Sequence, residues 1–394
     1  MSDNKHKNVD LVDKQILKRF NLIKKVGQGA YGIVFKSTDK KTKETVALKK
    51  LYDAFCNDTD SQRTFREVMI LQELNGHENI IRLFNVIKAE NNMDLYLVFE
   101  YMEADLYNVI RANILLDIHI KYVTYQILKA LKFIHSADIV HRDLKPSNIF
   151  INSDCLIKLG DFGLARTLNS NVENKLISKS YNYNKTNNAF EPIVTEYVAT
   201  RWYRAPEMLI GSPYYSKSVD MWSIGCILLE TMTRKPTFPG KSTIEQINLV
   251  FNTIGIPSRE EYNTVKSNYC LQVDYDRLPI NKKIKNISSK NSIKNIIQSN
   301  GIYCSNECYN FITKLLVFNP EKRLTVEQAL KHPYMKDFHN EEEEYICDRS
   351  IVLPLDDNKK FNVDTYRTKL YDEVLKRKIE IRDKLIESLK KSNY

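Results

Sequence analysis

Two short motifs constrain this chain more than any other feature of its sequence. The first reads His-Arg-Asp-Leu-Lys-Pro-Ser-Asn and begins at His141, and the second reads Asp-Phe-Gly and begins at Asp161. A single aspartate at a turn usually caps its own backbone, but an ordered set of this length has a random expectation of roughly one in a hundred. Residues Leu156 to Gly160 allow a hairpin between the motifs, so we expect the second motif to lie close to the first.

The residue types in these motifs fit phosphoryl transfer from ATP. That reaction needs a carboxylate at the acceptor hydroxyl, a cation beside the transferred group and oxygen ligands for Mg²⁺. Asp143 would supply the carboxylate and Lys145 the cation. Asn148 and Asp161 would supply the metal ligands.

A glycine-rich segment precedes these motifs. The flanking residues Leu22–Val26 and Ile33–Lys36 are typical of strands, and Val-Ala-Leu-Lys follows, ending at Lys49. A dinucleotide-binding fold has the same glycine spacing, but it needs a helix directly afterwards and an acidic ribose ligand about 20 residues further on. A strand and a lysine follow here instead, which favours a flexible hairpin over phosphates. The glycines of this predicted hairpin are Gly27, Gly29 and Gly32.

Lys49 needs an anion to hold its side chain extended. The predicted helix Asp60–Leu74 carries Glu67. A lone helical glutamate is usually solvated, but beside a phosphate-binding lysine it is expected to form an ion pair. We therefore predict that Glu67 pairs with Lys49.

The chain from about Phe20 to about Phe338 resembles a eukaryotic protein kinase, because it carries nearly all the signature segments. More narrowly, Thr195-Glu-Tyr197 followed by Val-Ala-Thr-Arg-Trp-Tyr-Arg-Ala-Pro-Glu resembles the extracellular-signal-regulated type of mitogen-activated protein kinase. Tyr-Arg-Thr-Lys-Leu-Tyr, from Tyr366, resembles the atypical branch of that group. The resemblance implies an α+β bilobal fold with a small β-rich N-lobe and a larger α-helical C-lobe.

The resemblance also divides the chain. It implies an N-terminal extension (1–19), an N-lobe (20–100), a C-lobe (101–338) and a C-terminal extension (339–394) with an acidic cluster and a basic helix over Val363–Leu389. The activation loop, 161–207, is longer than the family usually carries, and its excess between Leu168 and Val194 is rich in asparagine and poor in large apolar residues. A family-type insert is expected at about 242–300.

The nucleotide pocket follows from the same resemblance. Val34 and Ala47 would pack on the purine ring, and Phe99 would narrow the back of the pocket. The remaining contacts would come from the backbone of Glu100 and Met102 and from Asp105 as a ribose ligand.

Regulation is expected at the loop. Phosphorylation of Thr195 and Tyr197 would add about −1.5 to −2 charges each, and these charges need cations to order the loop. The resemblance places Arg66, Arg142 and Arg166 around phosphorylated Thr195, and Arg201 and Arg204 at phosphorylated Tyr197. Thr200 and Lys145 resemble the serine/threonine-specific pattern. The alternative is that both hydroxyl residues stay unmodified.

The charge and the cysteine content of the chain indicate which classes of partner and which cellular compartment to expect. The net charge of +10 is spread along the chain without an aromatic ladder or a reader motif, so no nucleic acid is expected. Seven cysteines without a paired framework, and the absence of a long apolar segment, predict a reduced compartment, cytoplasmic and/or nuclear, and no transmembrane segment. Docking peptides would bind at Asp337 and Glu341–Glu344, although an ordinary exposed acidic loop is an equal alternative.

We therefore predict an ATP- and Mg²⁺-dependent serine/threonine kinase, proline-directed towards Ser/Thr-Pro substrates. An upstream dual-specificity kinase would phosphorylate Thr195 and Tyr197, and a phosphatase would remove the phosphates. Alternatively, the chain would phosphorylate these residues itself. A non-catalytic docking scaffold is the alternative, and loss of a metal ligand or lysine would favour it; no such loss is visible. A cyclin-dependent kinase would lack Thr195-Glu-Tyr197. Two structural contacts are also expected: Asp220 with the catalytic-loop backbone, and Glu207 with Arg323.

Overall fold

The computed structural model describes residues 11–29, 31–168, 201–212, 216–265 and 292–392. The chain divides into two compact units. The first contains the residues up to Glu103, the short segment Asp161–Leu164 and the residues from Val352 onward. The second contains Ala104–Gly160 and Ala165–Ile351. The domain bounds expected from the sequence stay a prediction.

The first unit is built on a five-stranded antiparallel sheet of order β1-β2-β3-β5-β4. Side chains of β2 alternate between buried and partly exposed positions, which is the pattern of a strand with one face on a core. That core includes Ile33, Phe35, Leu48 and Tyr96. The strands are β1 (Phe20–Gly29), β2 (Gly32–Asp39), β3 (Thr45–Leu51), β4 (Leu83–Lys88) and β5 (Leu95–Glu100).

Three helices complete the described part of the first unit: α1 (Lys14–Arg19), α2 (Asp58–Glu73) and α12 (Val363–Ser392). Asn57 starts α2 by accepting a hydrogen bond from the Asp60 amide, which satisfies one of the unpaired donors of the first turn. The α12 helix packs on α2, where the rings of Phe65 and Tyr366 lie 5.8 Å apart. Helices predicted at Asp60–Leu74 and Val363–Leu389 are thus confirmed, with bounds shifted by up to three residues.

The second unit is mostly helical. Its longest helices are α4 and α6, whose apolar side chains are almost all buried. The helices are α3 (Leu106–Ala112), α4 (Asp117–Ser136), α5 (Pro206–Leu209), α6 (Ser218–Thr233), α7 (Thr243–Ile254), α8 (Arg259–Val265), α9 (Ile293–Ser299), α10 (Asn306–Leu315) and α11 (Val326–Leu330). Two small sheets join β6 (Ala104–Asp105), β8 (Ile149–Ile151) and β9 (Ile157–Leu159), and β7 (Ile139–Val140) with β10 (Arg166–Thr167).

Several predicted features fall outside the described residues. These are Thr195, Tyr197, Thr200 and, apart from Leu168, the predicted loop excess. In the predicted insert, α7, α8 and α9 are described and residues 266–291 are not. Among the described helices, no segment combines the length and apolar character that a membrane crossing requires.

Candidate active site

Two residues of the first motif converge on the carboxylate of a third residue of that motif, in the second unit. The Lys145 ammonium donates to Asp143 Oδ2 at 2.7 Å, and the Asn148 amide nitrogen donates to the same oxygen at 3.2 Å. Asn148 also donates to the backbone carbonyl of Asp143 at 2.9 Å. The motif therefore folds into a compact loop in which a lysine and an amide flank the Asp143 carboxylate.

Asp220 of α6 holds the backbone of this loop. Its carboxylate accepts the backbone N–H groups of His141 at 2.9 Å and Arg142 at 2.8 Å. His135 Nε2 lies 2.9 Å from the same carboxylate. Arg142 has a φ of +67°, in the left-handed region that residues with a Cβ atom rarely adopt. The hydrogen bonds to Asp220 help to hold this unfavourable backbone conformation. The contact predicted for Asp220 is confirmed.

The electrostatics of Asp220 follow from its partners. Burial by itself would raise the pKa of this carboxyl group, but the hydrogen bond and charge of His135, the charge of His141 and the amide of Arg142 outweigh burial. The pKa of Asp220 is consequently lower than the usual aspartate value. The group stays ionised as a fixed acceptor for the loop.

The hairpin between the two motifs is also confirmed. Strands β8 and β9 pair with Ile149 opposite Leu159. The Gly160 amide donates to the Asn148 carbonyl at 2.9 Å, and His141 Nε2 lies 3.0 Å from the Gly160 carbonyl. The residue that precedes Asp161 is therefore fixed by hydrogen bonds to the catalytic loop.

In the first unit, Lys49 and Glu67 form the predicted ion pair. Lys49 Nζ lies 3.1 Å from Glu67 Oε1, and the Glu67 side chain is 6% exposed. Burial would lower the pKa of Lys49, but the negative charges of Glu67 and Asp161 raise it above the ordinary lysine value. The lysine therefore keeps its positive charge at neutral pH.

Asp161 belongs to the first unit and has a φ of +58°. Its carboxylate lies 3.4 Å from the guanidinium of Arg63 in α2. A Cβ added at Gly163 would lie 2.7 Å from Arg63 Nε, so a side chain there would require Arg63 to move. The Asp-Phe-Gly segment thus packs directly on α2, a contact that the sequence reasoning did not foresee.

The glycine-rich hairpin is formed by β1 and β2. Gly27 lies opposite Val34, and Gly29 lies opposite Gly32. A Cβ at Gly32 would lie 2.2 Å from the Lys50 carbonyl oxygen, so only glycine fits there. A Cβ at Gly27 or Gly29 would meet no atom within 4 Å, which leaves the backbone open to a ligand.

The residues predicted to contact adenine lie on the central strands or directly after them. Ala47 is opposite Phe99 in the β3–β5 ladder, and Phe99 is 8% exposed. Glu100 ends β5, and its carboxylate accepts the Arg82 amide at 2.6 Å. Met102, two residues further on, is partly buried. These positions fit backbone contacts at the end of β5, whose ligand remains a prediction.

Asp105 belongs to the second unit and caps α3. Its Oδ1 accepts the Asn108 amide at 2.8 Å, and its Oδ2 accepts the Asn108 side chain at 2.8 Å. Its predicted role as a ribose ligand remains a prediction.

Among the arginines assigned to loop phosphates, Arg66 already has side-chain partners. Arg66 binds Asp357 and the Gly163 carbonyl, at 2.7 and 2.8 Å. Arg166 pairs through its backbone with Val140 in a two-stranded sheet. Burial lowers the pKa of Arg204 below the ordinary arginine value. The negative charge of Asp143 raises this pKa, and the positive charge of Arg201 lowers it further. Arg204 is thus electrostatically coupled to the catalytic carboxylate. Arg201 starts a short 3₁₀ turn, and Arg142 lies in the catalytic loop.

Glu207 and Arg323 form the predicted ion pair, and the structure shows that the pair is buried. Two hydrogen bonds join the fork of the guanidinium to the carboxylate, at 2.7 and 2.6 Å. Both side chains are almost inaccessible, at 1% and 0% exposure. The remaining guanidinium hydrogens reach backbone carbonyls, including that of Val317, so the pair is well satisfied.

The acidic segment predicted to dock peptides contacts lysines of the same unit. Glu344 is 3% exposed and lies 3.3 Å from Lys132 and 2.6 Å from His339. The other pairs are Asp337 with Lys121 (2.7 Å), Glu341 with Lys331 (2.8 Å) and Glu343 with Lys129 (4.0 Å). Much of the negative charge of the segment is therefore neutralised internally.

Comparison with known proteins agrees with this geometry. A family model described as "Protein kinase domain" matches residues 20–335. Extracellular signal-regulated kinase 2 of Dictyostelium discoideum is 50% identical over 373 residues, which is 95% of this chain and 94% of that protein. The chain belongs to the mitogen-activated protein kinase family. Mitogen-activated protein kinase 15 of Xenopus laevis is 48% identical over 97% of this chain, and extracellular signal-regulated kinase 7 of Drosophila melanogaster is 41% identical over 93%.

These relatives place the kinase in the atypical extracellular-signal-regulated branch, as the sequence predicted. The chain spans nearly all of the Dictyostelium relative, but 61% of the Xenopus relative and 38% of the Drosophila relative. The kinase is a serine/threonine-specific enzyme with a bilobal α+β fold, and ATP is the phosphoryl donor of its family. The fold class and the enzyme class predicted from the sequence are confirmed.

Proposed function

We propose that this mitogen-activated kinase is proline-directed and that Asp143, Lys145, Asn148, Asp161 and Lys49 carry its chemistry. The observation that supports this most directly is the convergence of Lys145 and Asn148 on one oxygen of Asp143. A carboxylate that is held in this way can accept the hydrogen of a substrate hydroxyl and aim its oxygen at the terminal phosphorus of ATP. Lys145 would then compensate charge on the transferred phosphoryl group.

Asn148 and Asp161 would hold Mg²⁺. An amide oxygen and a carboxylate are hard oxygen ligands of the kind that Mg²⁺ prefers, and the Asn148 amide nitrogen is turned towards Asp143, which leaves its oxygen for a cation. Among the described residues, no group of three acidic, histidine or cysteine side chains could form a dedicated metal cage. That fits Mg²⁺, which usually takes one or two protein ligands together with substrate phosphates. When bound, the ion would neutralise phosphate charge.

Lys49 would bind the ATP phosphates from the first unit. Its pairing with Glu67 fixes the ammonium in an extended position, and its raised pKa keeps it charged. Gly27 and Gly29 leave open backbone beside strand β2, where phosphates need close approach.

Two phosphates on the loop would switch the enzyme. Support comes from Thr195-Glu-Tyr197 in the sequence and from the kinship with extracellular-signal-regulated kinases. Arg142, Arg166 and Arg66 would bind phosphorylated Thr195, and Arg201 and Arg204 phosphorylated Tyr197. Either an upstream dual-specificity kinase, opposed by a phosphatase, or the enzyme itself would add the phosphates.

Docking peptides and a cytoplasmic or nuclear location complete the proposal. A basic peptide at Asp337 and Glu341–Glu344 would have to compete with the lysines that already contact this segment. The described cysteines, which are Cys56, Cys155, Cys226, Cys304, Cys308 and Cys347, are all free thiols, as a reducing compartment requires.

The test compares wild type with Asp143→Asn on a Ser-Pro peptide and its Ser-Ala counterpart. Asp143→Asn should lower kcat on the order of 10²- to 10⁴-fold, the usual contribution of a positioned acid–base group. Asp154→Asn is the matched control, because Asp154 lies in an exposed turn where asparagine can still accept the Leu156 amide. Equal rates on both peptides would contradict proline direction.

Thr195→Ala and Tyr197→Phe address the switch separately. Each should abolish most of the activation that follows loop phosphorylation, which mass spectrometry and the peptide assay measure together. If wild type carries both phosphates and still transfers no phosphate to any peptide, the docking-scaffold alternative is favoured.

A further inference from the structure

Arg66 joins three segments of the first unit. It lies in α2 beside Glu67 and is 4% exposed. One arm of its guanidinium donates to the Gly163 carbonyl at 2.8 Å. The other side of the guanidinium faces Asp357, with Nε 3.0 Å and Nη2 2.7 Å from Oδ1. Arg66 therefore ties α2 both to the Asp-Phe-Gly segment and to a residue far along the chain.

Asp357 is held in place independently of Arg66. Its side chain is 7% exposed. Gln62, one turn before Arg66, donates to the backbone carbonyls of Asp357 and Lys359 at 3.3 Å each. Tyr366 at the start of α12 accepts the Phe361 amide at 3.2 Å and donates to the Lys359 carbonyl at 3.3 Å. The segment carrying Asp357 is thus fixed at its backbone and presents its carboxylate to one face of α2.

The contact has the chemistry of an arginine–phosphate pair. A carboxylate and a phosphate are both anions with two oxygen atoms that can accept two parallel hydrogen bonds from the guanidinium fork. Asp357 thus supplies from within the chain the type of anion that loop phosphorylation would bring to Arg66. In this arrangement the neighbouring Glu67 lies 3.1 Å from Lys49. The Lys49–Glu67 ion pair is therefore formed in a structure in which the Asp357 carboxylate binds the Arg66 guanidinium.

We infer that Asp357 is a positioning residue for phosphoryl transfer, which acts through Arg66 to hold α2 with Glu67 on Lys49 when the loop carries no phosphate. The α2 helix is the element that must be correctly placed for this ion pair, and the pair is required for kinase activity. Asp357 acts at a distance from the reacting atoms, through the orientation of α2. The inference needs only the kinase activity of the chain and does not depend on phosphorylation of Thr195 and Tyr197.

The test uses the full chain with Thr195→Ala and Tyr197→Phe, so that no loop phosphate can replace the carboxylate. Asp357→Asn should lower kcat on the order of 10- to 100-fold, the range expected when catalytic groups are misplaced by about 1 Å, with a smaller change in KM for ATP. Asp357→Glu should restore part of the rate, because it keeps the charge. Asp356→Asn is the control, since Asp356 is 43% exposed and faces Lys359.

A double-mutant cycle checks that the effect runs through Arg66. Arg66→Gln combined with Asp357→Asn should be no slower than Arg66→Gln alone. Hydrogen exchange over Asp58–Glu73 should rise in Asp357→Asn and return towards the parent rate in Asp357→Glu. If Asp357→Asn does not fold, Arg66→Lys is the substitute, because it keeps a cation but loses the fork; it should show the same loss of kcat.

Four outcomes would overturn the inference. The first is an unchanged or higher kcat in Asp357→Asn, and the second is an equal loss of kcat in Asp356→Asn. The third is full activity in Arg66→Lys. The fourth is that the parent chain with Thr195→Ala and Tyr197→Phe shows no turnover, although the phosphorylated wild type is active. In the last case the enzyme would still be a kinase switched by its loop. A phosphorylated wild type without turnover would instead refute the proposed catalytic function.

Discussion

At the scale of single residues, the Glu207–Arg323 pair shows how much one buried contact contributes. Arg323→Ala would leave the Glu207 carboxylate buried without its partner, because both side chains are at most 1% exposed. We expect the free energy of unfolding to fall by about 3–5 kcal/mol, as measured by urea titration. Lys322→Ala is the neighbouring control: Lys322 forms an exposed pair with Glu261, so its loss should leave stability almost unchanged. Similar effects of the two substitutions would contradict this account.

Asp220 predicts a dependence of stability on pH. Its pKa is lower in the folded protein than the ordinary value of 3.8, so the unfolded chain takes up the proton first as the pH falls. Its stabilising contribution should therefore be complete above the ordinary value and disappear as the pH falls from there towards the folded-state pKa. Asp220→Asn keeps one oxygen acceptor for the two amides of His141 and Arg142, which donate to different oxygens of Asp220, and it has no charge to titrate.

The difference in unfolding free energy between wild type and Asp220→Asn, measured by urea titration from pH 3 to pH 6, tests this prediction. The difference should be constant at the upper end of that range and shrink below about pH 4. A difference that grows as the pH falls would contradict the prediction.

Contacts between motif residues could be predicted from the sequence, whereas the partner of Arg66 could not. Lys49 with Glu67, Asp220 with the catalytic loop, and Glu207 with Arg323 each join positions whose roles the motifs define. Asp357 lies 291 positions from Arg66 and belongs to no motif. The available signal was two adjacent aspartates just before a predicted helix, which charge alone does not distinguish from a solvated turn.

At the scale of elements, α12 has two different halves. Its first half is anchored by Tyr366, Leu370 and Val374, which are at most 5% exposed. Further along, Leu385 is 59% exposed. Tyr366→Ala removes a ring that packs on Phe65 and should lower the free energy of unfolding by about 3–5 kcal/mol in chemical denaturation. Leu385→Ala should change it by less than about 0.5 kcal/mol. Equal losses would mean that the second half is also anchored.

The types of the elements could be predicted because helices and strands differ in their hydrophobic periodicity and in the residues that mark their ends. The first strands were expected at Leu22–Val26 and Ile33–Lys36, and the structure extends them to Phe20–Gly29 and Gly32–Asp39. The extension has a physical cause: the ladder continues through Gly27 and Gly29 by backbone pairing, which needs no apolar side chain. Propensity alone places strand ends where the apolar pattern stops, so the ends were missed.

At the scale of the whole molecule, the motifs predicted the kinase fold but not the individual contacts that hold the C-terminal extension. In the structure, Val352 onward groups with the β-rich unit. That grouping depends on contacts such as Arg377 with Glu73 and Phe55 with Tyr371, which join distant parts of the chain. Such pairings follow from tertiary packing, which no local pattern records.

The composition of the β-rich unit has a consequence for the order in which the kinase can mature on the ribosome. The amino-terminal strands emerge first, but one face of α2 is covered by residues from Val352 onward, which are translated only after the whole helical unit. Until then Phe65 lacks the ring of Tyr366, and Arg66 lacks its carboxylate. We therefore expect the nascent sheet and α2 to stay partly uncovered during that interval, with exposed apolar surface of the kind that chaperones bind.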